Sequence, residues 1–228
     1  DTGRIYSTGN GIVVGTANSG SNSGTIITRG GVDAGATGIK VAGANNGTAL
    51  AGASITNAGS SVIRATGDGI QVGSNGTYGT ITNKGSLGSI NMAGVDTPVG
   101  DDGIEVVGAN AGKIDNTLGA AILATGDGIV VGQSNSGTIT NSGLIGTATT
   151  AVGGAGIAVV SANTGTIENG STSPTSGKIY AGTDGIFLGG ENSASGIIAN
   201  RSGSTIVAAK NGIAVSGANS GTITNENG

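Results

Sequence analysis

The chain has 228 residues, of which 49 are glycine, about three times the usual share, and it carries 9 basic and 13 acidic side chains for a net charge of −4. Glycine at that level argues against ordinary helical folds, and so few cations leave no footprint for nucleic acid. Without cysteine, histidine or tryptophan, the chain excludes disulfide frameworks, Cys/His zinc sites, thiol nucleophiles and imidazole general bases.

Read in chain order, the first apolar alternation falls at Ile5, the second at Gly11-Ile12-Val13-Val14 and the third around Ile26. That three-part unit then returns. The glycine of a Gly-Ile-x-Val motif, once with Leu in place of Val, recurs at Gly11, Gly38, Gly69, Gly103, Gly128, Gly156, Gly185 and Gly212, about 29 residues apart. An apolar residue precedes each one: Ile5, Val32, Ile63, Ile90, Ile122, Ile145, Ile179 and Ile206. A Thr-Ile-Thr-Asn-like motif follows each one, centred on Ile26, Ile55, Ile81, Ile114, Ile139, Ile167, Ile198 and Ile223.

Each segment alternates apolar and polar residues over a few positions, is rich in β-branched side chains and is bounded by Gly, Asn, Asp or Ser, so each reads as a strand. No stretch offers the 3.6-residue period of a helix. The pattern predicts an all-β, three-sided parallel β-helix (β-solenoid) of about eight coils, one domain over 1–228, with Ile and Val of the Gly-Ile-x-Val strand turned inward. At about 4.8 Å per coil the rod is about 38 Å long. No apolar run is long enough to span a bilayer as a helix, so membrane insertion of this segment is not expected. No basic-then-apolar leader opens the chain at Asp1, so an export signal is expected to have been cleaved or to lie outside these residues.

Two polar columns stand out. Two residues after each inward Ile of the third strand comes Asn57, Asn83, Asn116, Asn141, Asn169, Asn200 or Asn225, with Thr28 in the first repeat. Stacked amides bond to one another and to turn backbone, which makes a structural ladder; a ligand-binding polar stripe is the alternative. Before the Gly-Ile glycine stand Asn10, Thr37, Asp68, Asp102, Asp127, Ala155, Asp184 and Asn211. Asx-Gly suits a tight turn, yet Asp68, Asp102 and Asp127 fall in consecutive coils, where stacked carboxylates repel unless a proton or a cation intervenes. Calcium takes such oxygen ligands, although the glycine-rich nonapeptide of calcium-binding β-rolls is absent.

No spacing selects a catalytic pair among the 13 acids, so no catalytic, cofactor-binding or metal-ligating residue is assigned and the chain is not expected to be an enzyme. Thr80-Ile81-Thr82, Thr138-Ile139-Thr140 and Thr222-Ile223-Thr224 would place hydroxyls on one outer face, as some ice-binding solenoids do, but only three coils have the pattern. Insertions at Gly94 to Asp101, at Thr147 to Ala155 and at Ala42 to Ala53 are surface loops, with Pro98 in the first; Pro174 lies in a further lengthened connection.

Asn135-Ser136-Gly137-Thr138-Ile139-Thr140-Asn141-Ser142-Gly143 and Ala124-Thr125-Gly126-Asp127-Gly128-Ile129 resemble the repeats of bacterial autotransporter passenger domains and filamentous-haemagglutinin-like surface adhesins. The resemblance covers all eight repeats. It implies a right-handed β-helix at the bacterial cell surface or outside the cell, serving adhesion, aggregation or biofilm formation. The partners it implies are other copies, stacked end to end or side by side, and a host or neighbouring-cell surface or polysaccharide. A carbohydrate-active β-helix enzyme and an ice-binding solenoid are the alternatives. Joining Gly228 to Asp1 would place Ile5 at an interval from Asn225 like those inside the chain, so a segment of a longer rod, or a subunit that stacks end to end, is expected.

Overall fold

The computed structural model describes residues 3–16, 19–89, 96–171 and 176–226. Among these residues there are 24 short strands and no helix. The strands form three eight-stranded parallel sheets: the first from Arg4–Ser7 to Thr205–Ala208, the second from Ile12–Val14 to Ile213–Val215, the third from Thr25–Thr28 to Thr222–Asn225. Successive strands of one sheet come from successive coils. The architecture is therefore the three-sided β-helix of eight coils that the repeats predict.

Register follows the repeat residue by residue. In the second sheet Ile39 pairs with Ile70, Ile70 with Ile104 and Ile104 with Ile129; in the third, Ile81 pairs with Ile114 and Ile114 with Ile139. These side chains point into one continuous core, where Ile70, Ile104, Ile114 and Ile129 are wholly buried. Burial of each is worth roughly 1.5–3 kcal/mol, an upper range for a chain that is partly compact when unfolded. The Gly-Ile glycine is fixed by the same closeness. A Cβ on Gly103 would run into Ile122 Cγ2 and the carbonyl oxygen of Gly128 in the next coil.

One inward residue differs from expectation. In coil four Leu87, not Ile90, stands between Ile63 and Ile122 in the first sheet. Backbone bonds from Ser86 N to Ser61 O (2.9 Å) and from Gly88 N to Ile63 O (2.9 Å) set this register, and Leu87 is wholly buried. Ile90 lies outside the described residues. Its sequence match to Ile63 misleads because the coil shortens the turn after Asn83 and places its extra residues after Leu87 instead.

The insertions sit where that register leaves them. The loops of coils four and six depart at Gly88 and Gly146, both in the left-handed region (φ 79° and 68°), and rejoin the stack at Val99 and Val152. Those valines pair with Ala124 and Ala181, filling the column that alanine holds in other coils. The loops leave one corner two coils apart and touch through a Thr147 Oγ1 to Asp96 Oδ2 bond of 3.1 Å. Leu123 faces outward between inward Ile122 and Ala124 but is 1% exposed, with Gly88 against its Cβ. At the other corner Ala42 to Asn45 remain in the strand Ile39–Asn45, so the insertion proper is 46–52, closed by Thr48 N to Ala51 O at 2.8 Å. Pro174 lies outside the described residues.

Replacing Leu87 by Ala should therefore cost about 2–5 kcal/mol in urea unfolding, as expected for a core leucine. A loss below about 1 kcal/mol would show that another residue fills the column.

Candidate functional site

The predicted asparagine column is a continuous hydrogen-bonded ladder. Thr28 Oγ1 donates to Asn57 Oδ1, and from there each Nδ2 donates to the Oδ1 one coil on: Asn57 to Asn83, then Asn116, Asn141, Asn169, Asn200 and Asn225, at 2.7–2.9 Å. The second amide hydrogen reaches the backbone that opens the next strand, as from Asn83 to the carbonyl of Ala121 (3.0 Å) and from Asn116 to that of Leu144 (3.2 Å). Asn57, Asn83, Asn116, Asn141 and Asn169 are fully buried. Both donors of each of these five amides are satisfied, so the buried column is a structural ladder and offers nothing to a ligand.

A second ladder escaped the sequence reading. Asn22, Asn45, Asn75, Asn110, Asn135, Asn163, Asn192 and Asn219 are joined in the same direction at 2.7–3.0 Å, at the corner between the second and third sheets. The signal was present: an Asn lies four residues before the third-strand Ile in five repeats. Insertions after Asn45, Asn75 and Asn192 change that interval and hide the column.

The aspartate column comes together as expected and acquires neighbours. Asp68 Oδ1 accepts from Asp102 N (3.3 Å), Asp102 Oδ1 from Asp127 N (2.6 Å) and Asp127 Oδ1 from Ala155 N (2.6 Å). Asn10 and Asp184 do the same for Thr37 N (3.0 Å) and Asn211 N (3.2 Å). The Asx oxygen thus ties the corner to the next coil at these five positions. Asp101 adds a carboxyl to Asp68, Asp102 and Asp127, and oxygens of Asp68, Asp101 and Asp102 all lie within 4.8 Å of one another. Gln71 Nε2 bridges Asp68 Oδ2 (2.8 Å) and Glu105 Oε2 (2.5 Å).

Crowding shifts the acids. Desolvation first, then the charges of Asp127, Asp101 and Asp68, push Asp102 up to about 7 against the pull of the Asp127 N–H. Desolvation followed by Glu105 raises Asp68, and desolvation followed by Asp101 raises Asp127. A proton held here near neutrality relieves the repulsion, as an oxygen-seeking cation also would.

Elsewhere on the outer surface four cations are ion-paired. Asp33 sits between Arg4 (2.9 Å) and Arg64 (3.2 Å), Lys113 meets Asp115 (2.8 Å), and Arg201 joins Glu168 to Glu226. The last two groups interrupt the threonine columns of the third sheet at coils four and six, so no unbroken hydroxyl array crosses that face. No family model, curated protein or solved structure matches the chain.

Two outcomes follow. Asn116→Ala would leave Asn83 Nδ2 and Asn141 Oδ1 unpaired in a buried site, at about 1–3 kcal/mol for each; a loss under about 1 kcal/mol on denaturation would mean the ladder carries no load. The acid column makes stability depend on pH with a definite sign. The folded state holds the Asp102 proton up to about 7 and the unfolded chain releases it near 3.8, so this contribution is complete below about 3.8 and is lost as pH rises through about 7. The melting temperature should rise by a few degrees between pH 8 and pH 5, at roughly 2–4 °C per kcal/mol, and Asp102→Asn should flatten the dependence. Identical melting of both proteins across that range would refute the assignment, and calcium added at pH 8 tests whether a cation replaces the proton.

Proposed function

We propose that the chain is a structural and adhesive segment of a bacterial fibre at the cell surface or outside the cell, acting by self-association and surface contact. The observation that carries this reading is the continuity of its stacking columns. Both ladders point one way along the rod, and the inward columns of the interior coils are buried without a break. A further coil, from this or another chain, would find backbone, apolar and amide groups already in register.

The resemblance of the repeats to autotransporter passengers and filamentous-haemagglutinin-like adhesins supports the surface location. Self-association should appear as a sedimentation coefficient that grows with concentration, as filaments in the electron microscope, and as clumping of a non-aggregating bacterium that displays the segment. A species that stays monomeric at every concentration and leaves the displaying cells dispersed would defeat the proposal.

One observation favours a second reading, a carbohydrate-active enzyme. Asp102 keeps a proton near neutrality beside Asp101 and Asp127, as a general acid must. Against it, Asp68, Asp102 and Asp127 each commit an oxygen to backbone. A polysaccharide depolymerisation screen separates the two, since turnover abolished by Asp102→Asn would favour the enzyme.

A further inference from the structure

The turn between the second asparagine ladder and the third sheet varies in length along the rod. In coils four, five and six it is two residues: Ala111-Gly112, Ser136-Gly137 and Thr164-Gly165. Coils two and three carry longer turns at 46–52 and 76–78, and coil seven carries 193–196, which leans over its neighbour through a Ser195 Oγ to Thr164 O bond of 3.0 Å. The short turns therefore lie in a notch of about 580 Å³ that runs along the rod axis. Its floor stays flat because a Cβ on Gly112, Gly137 or Gly165 would enter the backbone of the adjoining coil.

Three features define what fits. Tyr78 stands at the wall, 46% exposed, with its position fixed on both sides: its N–H donates to Asn46 Oδ1 (3.2 Å) and its carbonyl accepts from Ala53 N (3.0 Å). Along the edge the outward hydroxyls of Thr80, Thr138 and Thr166, in coils three, five and six of one column, have no hydrogen-bond partner among the described residues, and Lys113 holds the place between them in coil four. Lys113, the one charged residue among those lining the notch, is neutralised by Asp115 at 2.8 Å.

We propose that this notch is a binding site for an extended neutral polysaccharide. An aromatic ring offers a face to the C–H side of a sugar, and the unspent hydroxyls of coils three, five and six offer donors and acceptors to the sugars of a chain lying along the axis. Neutral lining selects against anionic chains. No carboxylate lines the notch among the described residues, so no acid pair is in place to cleave a glycosidic bond there and the site holds its ligand unchanged. A protein partner would instead need an apolar centre, which this lining lacks. The assignment rests on the adhesive reading and gives it a ligand.

The test titrates the whole chain with neutral oligosaccharides of four to six sugars, β-1,4-glucan, β-1,3-glucan and mannan, beside anionic polygalacturonate, with amide chemical shifts and calorimetry as readouts. Binding of a neutral glycan should be insensitive to salt and should perturb Tyr78, Thr80, Ser136 and Thr138. Tyr78→Ala should weaken it at least about tenfold and Ser136→Trp should block it by filling the notch, while Leu118→Ala, elsewhere on the surface, should leave it unchanged. Thermal melts of each variant establish that it is folded. Absence of neutral-glycan binding at millimolar concentration, binding unmoved by both notch variants, or salt-quenched binding of polygalacturonate alone would overturn the proposal. Self-association that persists without glycan binding would overturn this site and leave the fibre reading standing, whereas shortening of the glycan would overturn both in favour of the enzyme.

Discussion

In-register parallel stacking is the constraint on which everything else in this rod depends. Each residue lies about 4.8 Å from its counterpart in the next coil, so every column must tolerate its own kind. Isoleucine does, because a branched apolar surface packs on itself. Asparagine does, because its amide is donor and acceptor at once and successive side chains form an unbroken chain of bonds. Aspartate does not. It only accepts when ionised, and a column of three has to recruit backbone N–H groups and hold a proton to persist.

From this follows a division of labour between core and ladders. Apolar burial supplies most of the favourable free energy but discriminates poorly among registers, since any inward Ile packs on any other. The amides discriminate sharply: a slip of one residue would turn them outward and bring apolar neighbours in, and a partial slip would leave buried donors unpaired. That explains how strands of two residues, such as Ser86–Leu87, Ala121–Ile122 and Leu144–Ile145, keep their place beside long insertions. Each opens just after a carbonyl or at a carbonyl held by the ladder, as Ala121 and Leu144 are by Asn83 and Asn116. Loops can then grow at the corners without disturbing the stack, and the Leu87 and Ile145 loops cover an outward leucine.

Much of this was legible in the sequence because a stack repeats its instructions. Eight Gly-Ile motifs fix the second sheet, and the Asn two residues after the third-strand Ile fixes one ladder. What failed did so where spacing changes. Ile90 imitated the first-sheet residue because similarity of type outweighed the count from Asn83, and the second ladder was broken up by turns of unequal length. The notch was invisible for a related reason: it is made of absent residues, short turns between long ones, and only stacking turns a difference in length into a surface. Asp101 and Glu105 joined the acid cluster from neighbouring sequence positions, but the bridging by Gln71 across coils depends on three dimensions.

The outer surface shows how the same constraint confines the acids. At Arg4, Asp33 and Arg64, and at Glu168, Arg201 and Glu226, the sign of charge changes from one coil to the next, so stacking becomes attraction. At the Asx corner five coils use a side-chain oxygen as acceptor for the N–H of the next, and alternating the sign would remove it. Uncharged residues limit the consequence: Thr37 precedes the run and Ala155 follows it, so no carboxylate beyond Asp68, Asp102 and Asp127 joins in sequence along the column. Ala155 still receives Asp127 through its backbone N–H, which ends the run with the acceptor satisfied and no further charge. The acid cluster is thus a consequence of stacking under a local demand for acceptors, and its sensitivity to protons is tied to the stability of the coils it joins.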